Sequence, residues 1–116
     1  MAKYLFRGTY TDKGLEGLLQ EGGSKRREAV ERAVQGLGGT LEAFYFAFGD
    51  ADVLAIVDMP DNVSASAFSL LVTRAGGATV KTTVLITPEE VDEATKKTLD
   101  YRPPGQLAMP CLENQI

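Results

Sequence analysis

Two adjoining segments that are apolar on both of their flanks constrain this chain more than any other feature. Residues 40–48, TLEAFYFAF, and 52–59, DVLAIVDM, are rich in aromatic and aliphatic side chains, and only Gly49-Asp50-Ala51 stands between them. That is the pattern of a β-hairpin. At the alternating period of a strand, Leu41, Ala43, Tyr45 and Ala47 oppose Phe44, Phe46 and Phe48, while Val53, Ala55, Val57 and Met59 oppose Leu54 and Ile56. A hairpin of this kind must be sheltered on both faces, so the rest of the chain, or a second chain, has to supply two covering layers.

The remaining elements follow from periodicity. Residues 3–11 alternate Tyr4, Phe6, Gly8 and Tyr10 against Leu5, Arg7 and Thr9, which predicts a first strand. Leu15, Leu18 and Leu19, then Val30, Ala33, Val34 and Leu37, recur at helical spacing, with Gly22-Gly23-Ser24 as a break and Ser24 as the expected N-cap of the second segment. Gly36, Gly38 and Gly39 supply its exit. Beyond the hairpin, Pro60-Asp61-Asn62 opens a helix with a stripe of Phe68, Leu71, Val72 and Ala75, closed by Gly76-Gly77. Residues 79–86 alternate Val80, Thr82, Val84 and Ile86 with Thr79, Lys81, Thr83 and Leu85, a fourth strand. Thr87-Pro88-Glu89-Glu90 combines a Thr N-cap, Pro at the first helical position and Glu at N3, so a short helix is expected over 88–99, with Lys96 and Lys97 at the negative end of its dipole.

The order βαββαβ predicts an α+β, ferredoxin-like fold: a four-stranded antiparallel sheet with both helices on one face, because both crossovers are right-handed. At 116 residues one such domain is all that fits; it is expected over 1–100, with 101–116, which begins Tyr101-Arg102-Pro103-Pro104-Gly105, as a tail. Helices on one face leave the doubly apolar hairpin bare on the other. We therefore expect a homodimer, or a higher homo-oligomer, formed through the sheet face.

Several function classes drop out. With 12 Lys and Arg against 16 Asp and Glu, the formal charge is −4, which opposes a surface built to neutralise nucleic-acid phosphates. The chain has no histidine, which removes histidine-ligated haem, the usual catalytic zinc sites and any Ser-His or Cys-His nucleophile. One cysteine, Cys111, makes no internal disulfide, and no apolar run approaches the ~20 residues of a bilayer span. No leader pattern stands at the amino end, so the expected compartment is the cytoplasm and no membrane association is expected.

The stretch EGGSKRREAVERAVQGLGGTLEAFYFAFGDADV, the later KTTVLITPEEVDEA and the YRPPG run together resemble the GYD-domain proteins, small bacterial proteins of the dimeric α/β-barrel superfamily. The likeness covers roughly residues 3–105. It implies a ferredoxin-like fold whose sheets pack face to face in a dimer, and it implies no particular reaction. Where the family's Gly-x-Tyr-Asp signature is expected, this chain reads Gly49-Asp50-Ala51-Asp52, so the tyrosine hydroxyl is replaced by Ala51.

Candidate site residues fall into a few groups. Gly49, Asp50 and Asp52 could present paired carboxylates at the end of the sheet, but Gly and Asp are also what a tight hairpin requires. Arg7 and Lys81 lie in neighbouring strands and, with Thr9 and Thr83, could form a cationic patch for an anionic or enol-like ligand; alternatively each pairs with a carboxylate such as Glu42, Asp52 or Asp58. Lys25, Arg26 and Arg27, beside Gly22-Gly23, suit phosphate chemically, yet lack phosphate-loop spacing and read as a solvated helix face with Glu21, Glu28 and Glu31. Tyr4, Tyr10 and Tyr45, with the phenylalanines, read as core before they read as a stacking platform. Cys111 has no neighbour that would activate it.

These readings converge on a homo-oligomeric small-molecule-binding module that needs no cofactor, with Arg7, Tyr45, Asp52 and Lys81 as its polar contacts. The alternatives are a cofactor-independent isomerase or oxygenase using Lys81 or Asp52 as base, and a structural or regulatory assembly module whose interior is filled by its own side chains.

Overall fold

The structure, a computed structural model, describes residues 1–105. Its elements run β1 (Ala2–Tyr10), α1 (Asp12–Glu21), α2 (Gly23–Gly36), β2 (Thr40–Phe46), β3 (Val53–Met59), α3 (Asn62–Ala75), β4 (Ala78–Leu85) and α4 (Pro88–Thr95). The four strands form one antiparallel sheet in the order β2-β3-β1-β4, the ferredoxin-like arrangement expected from the element order. Two compact units make up the chain, Met1–Leu85 and the segment from Ile86 onward. Among the described residues no helix is long and apolar enough to cross a membrane.

Strand alternation places the core. Tyr4, Phe6 and Gly8 of β1 are buried on the face that meets the helices, whereas Arg7 and Thr9 are exposed on the opposite face. Val34 of α2, Ala65 and Phe68 of α3, and Ala55, Val57 and Met59 of β3 complete the buried cluster. Phe68 stacks on Phe6 with ring centroids 4.5 Å apart, and the Tyr4 hydroxyl donates to Asn62 Oδ1, so α3 is fastened to β1 at two levels. Each such ring contributes roughly 1.5–3 kcal/mol by leaving water.

Local structure departs from the sequence-based expectations at five places. Ser24 is not a cap: the Gly22 N–H donates to the Leu18 carbonyl (2.8 Å) and its own carbonyl accepts from Arg26 (3.4 Å), so one glycine at φ 84° ends α1 and opens α2. The hairpin link is longer than Gly49-Asp50-Ala51. It runs from Ala47 to Asp52, because Ala47 N–H bonds the Asp52 carbonyl (3.0 Å) and Phe48 takes a left-handed backbone at φ 55°. Leu41 does not share a side with Ala43 and Tyr45. A β-bulge between Leu41 and Ala43 lets Leu41 pair with Val57 on the helix face while Ala43 pairs with Ile56 on the other.

In α3 the stripe facing the sheet is Ala65, Phe68 and Val72, and Leu71 stays 47% exposed because it lies one step further round the helix. The helix expected over 88–99 stops at Thr95. Its capping box forms as expected, Thr87 Oγ1 accepting from Glu90 N (3.1 Å) and Glu90 Oε1 from Thr87 N (2.8 Å), but Lys96 and Lys97 donate three residues back and tighten the last turn to an end. Tyr101–Gly105 is irregular; the rest of the tail, with Cys111, lies outside the described residues.

Candidate functional site

The two faces of the sheet offer different chemistry. On the open face, Arg7 stands directly opposite Lys81 in the β1–β4 register and opposite Leu54 in the β1–β3 register. Around this pair lie half-buried Leu5, Ala43, Leu54 and Ile56, exposed Thr83, and Tyr45, which is 67% exposed. Two like charges directly across a strand pair repel. The carboxylates that could answer them within the chain are engaged elsewhere: Glu42 and Asp58 both bind Lys3 Nζ, the latter at 3.0 Å. Arg7 and Lys81 have no ion-pair partner among the described residues.

The hairpin residues act on the backbone. Asp52 Oδ2 accepts from Tyr10 N (2.9 Å), and the Asp52 N–H donates to the Gly8 carbonyl (2.9 Å), which ties the loop to the end of β1. Gly49 N–H bonds the Ala51 carbonyl (3.1 Å), a turn contact, and Asp50 is exposed. The geometry thus brings Arg7, Lys81 and Tyr45 to one face and sets Asp52 apart from them. Tyr45 also borders a hollow of about 310 Å3 with Phe44, Phe46 and Arg27, near the start of α2.

Between the sheet and its helices lies a second space, a cavity of about 330 Å3. Its floor is Gly8, Tyr10, Phe44, Ala55 and Ala78; α2 contributes Arg26, Ala29 and Ala33, and α3 contributes Phe68 and Val72. The space exists because small residues occupy the positions where the two helices and the sheet converge. Gly14 closes one end. A Cβ there would stand 1.9 Å from the Gly77 carbonyl oxygen, since Thr11 holds the Gly76-Gly77 turn through its N–H (3.0 Å to Gly77) and its hydroxyl (2.8 Å to Gly76).

Among the described residues only Tyr10 and Arg26 bring polar side chains to these walls. Burial, first, pushes the Tyr10 phenol above its ordinary value, with Arg26 opposing and Asp52 and Glu21 adding to the rise; the hydroxyl is a neutral donor at physiological pH. Arg26 Nη1 donates to Glu21 Oε1 (3.2 Å), across the break at Gly22. By sequence alone Tyr10 reads as core and Arg26 as part of a solvated face. One signal does mark Arg26: it falls on the same helical stripe as Ala29, Val30 and Ala33, and it is half-buried where Lys25 and Arg27 are exposed.

The family described as the GYD domain matches the chain over residues 4–95. No curated protein and no solved structure matches it.

Proposed function

The chain belongs to the GYD domain family, and from that footing we propose that this member is a homo-oligomeric small-molecule-binding module. The observation that carries the reading is the cavity of about 330 Å3 between sheet and helices, which lies within the volume range of ligand pockets and has the usual composition of one: apolar walls with few polar groups. Binding is favoured over acid-base catalysis because the titratable groups at the cavity are a phenol held protonated by burial and a guanidinium, neither of which accepts a proton readily. Lys81 and Asp52, the bases an isomerase or oxygenase would have used, are not among its walls.

Oligomerisation is the second half of the reading. The open face carries Leu5, Leu54, Ile56 and Tyr45 together with two cations that have no counter-charge among the described residues of their own chain. A second copy packed on this face would cover the apolar residues and could bring acidic groups to Arg7 and Lys81.

The ligand reading is tested by amide chemical-shift mapping against a collection of small apolar compounds. Binders should move the resonances of Tyr10, Gly14, Ala29 and Phe68, and Ala29→Phe, which fills the space from α2, should abolish the shifts while the spectrum stays dispersed. Shifts that persist in Ala29→Phe, or that map only to the open face, would remove the cavity from the function.

A further inference from the structure

The walls of the cavity also narrow the class of ligand, an inference that rests on the binding function proposed for that space. Apart from Arg26, Tyr10 and the backbone of Gly8, Gly14 and Gly77, the described residues on the walls present hydrocarbon and aromatic side chains, with Phe44 and Phe68 on different elements. A ligand rich in hydroxyls or amides would leave most of its polar groups unpaired against such side chains. The body of the ligand is therefore apolar.

Its polar end is specified by the two exceptions. Arg26 lines the cavity, whereas Glu21, its ion-pair partner, does not. A guanidinium carries five N–H donors, and the contact to Glu21 Oε1 involves Nη1 alone, so further donors remain for a second acceptor. The Tyr10 hydroxyl makes no hydrogen bond among the described residues and adds one donor more. Every polar side chain on the walls is thus a donor, and one of them is a cation. A cationic ligand would meet that positive charge; a neutral polar one would forgo it.

We infer that the cavity binds an apolar carboxylate, its hydrocarbon body against Phe44 and Phe68 and its carboxylate at the Arg26 guanidinium, where it competes with Glu21. The volume, about 330 Å3, stands at the lower end of the range for ligand pockets and suits a body of one ring or two fused rings. Guanidinium–carboxylate contacts are charge-assisted and tolerate partial exposure better than neutral ones, which fits a group at the rim of an apolar space.

The test uses a matched pair, 2-naphthoate and 2-naphthamide, titrated into the full chain by calorimetry at neutral pH. Wild-type protein should bind the acid about tenfold or more tightly than the amide, the ratio expected of one charge-assisted hydrogen bond. Arg26→Met should erase that preference and leave amide binding intact, Glu21→Gln should strengthen acid binding alone, and Ala29→Phe should abolish both. Equal affinity for the two probes in wild-type protein, with both lost in Ala29→Phe, overturns the carboxylate class and leaves the cavity as a binding site. A preference for the acid that survives Arg26→Met overturns the role of Arg26. Failure of both probes to bind overturns this inference together with the reading on which it rests.

Discussion

At the scale of single residues, the structure separates side chains that hold the backbone from those that face a potential ligand. Asp52 belongs to the first kind. Asp52→Ala leaves the Tyr10 N–H without its acceptor and should cost about 1–3 kcal/mol in urea unfolding, and Asp52→Asn, which keeps an oxygen there, should cost less. Asp61 is the N-cap of α3, and the hydrogen bond it accepts from Ser64 N (2.8 Å) holds its carboxyl below the ordinary 3.8. A depressed folded value means that the stabilisation is complete above the unfolded pKa and is lost as pH falls through the folded one. Asp61→Ala should therefore unfold more readily than wild type at neutral pH, and the two unfolding curves should converge on acidification below about pH 3.8. Curves that stay equally separated down to pH 2 would assign the effect to something other than the carboxylate.

At the scale of elements, the sequence is most legible where a local rule has a single outcome. The Thr87-Pro88-Glu89-Glu90 box, the strand alternation of β1 and the stop at Gly76-Gly77 appear where they are expected, whereas in β4, which ends at Leu85, Thr82 and Val84 stay exposed although they pair with buried Phe6 and Tyr4. The bulge in β2 is not legible, because one extra residue leaves no letter of its own; it shows only in the register, where Leu41 pairs with Val57 and Ala43 with Ile56. The cavity is hidden for a related reason. Its walls come from seven of the eight elements, and the small residues that open it look like ordinary helix and strand positions when taken one at a time. A deletion series reads the bulge directly. Removing Glu42 keeps every remaining side chain of β2 on its present face and loses one exposed contact to Lys3, so the unfolding free energy should fall by no more than ~1 kcal/mol. Removing Tyr45 forces either Phe46 or the Leu41–Phe44 stretch to the wrong face and should leave no cooperative transition. Equal damage from the two deletions would contradict the register.

At the scale of the whole molecule, the question is what lies over the open face of the sheet. Ile56 sits on that face, half-buried, in the strand between β2 and β1. If a second copy packs there, Ile56→Lys should convert the wild-type species to one of monomer mass in sedimentation equilibrium while far-ultraviolet dichroism is unchanged; a wild-type chain that is already monomeric at micromolar concentration would end the proposal of a sheet-face oligomer. The bulge matters at this scale as well, since β2 is one rim of the sheet. Unpaired N–H and C=O groups along a straight rim invite sideways extension into another molecule's sheet, and an irregular, charged rim discourages it. The chain lacking Glu42 should therefore keep its shape and lose its solubility, with turbidity rising on concentration where the parent stays clear. Glu42 would then be a residue retained for what it prevents.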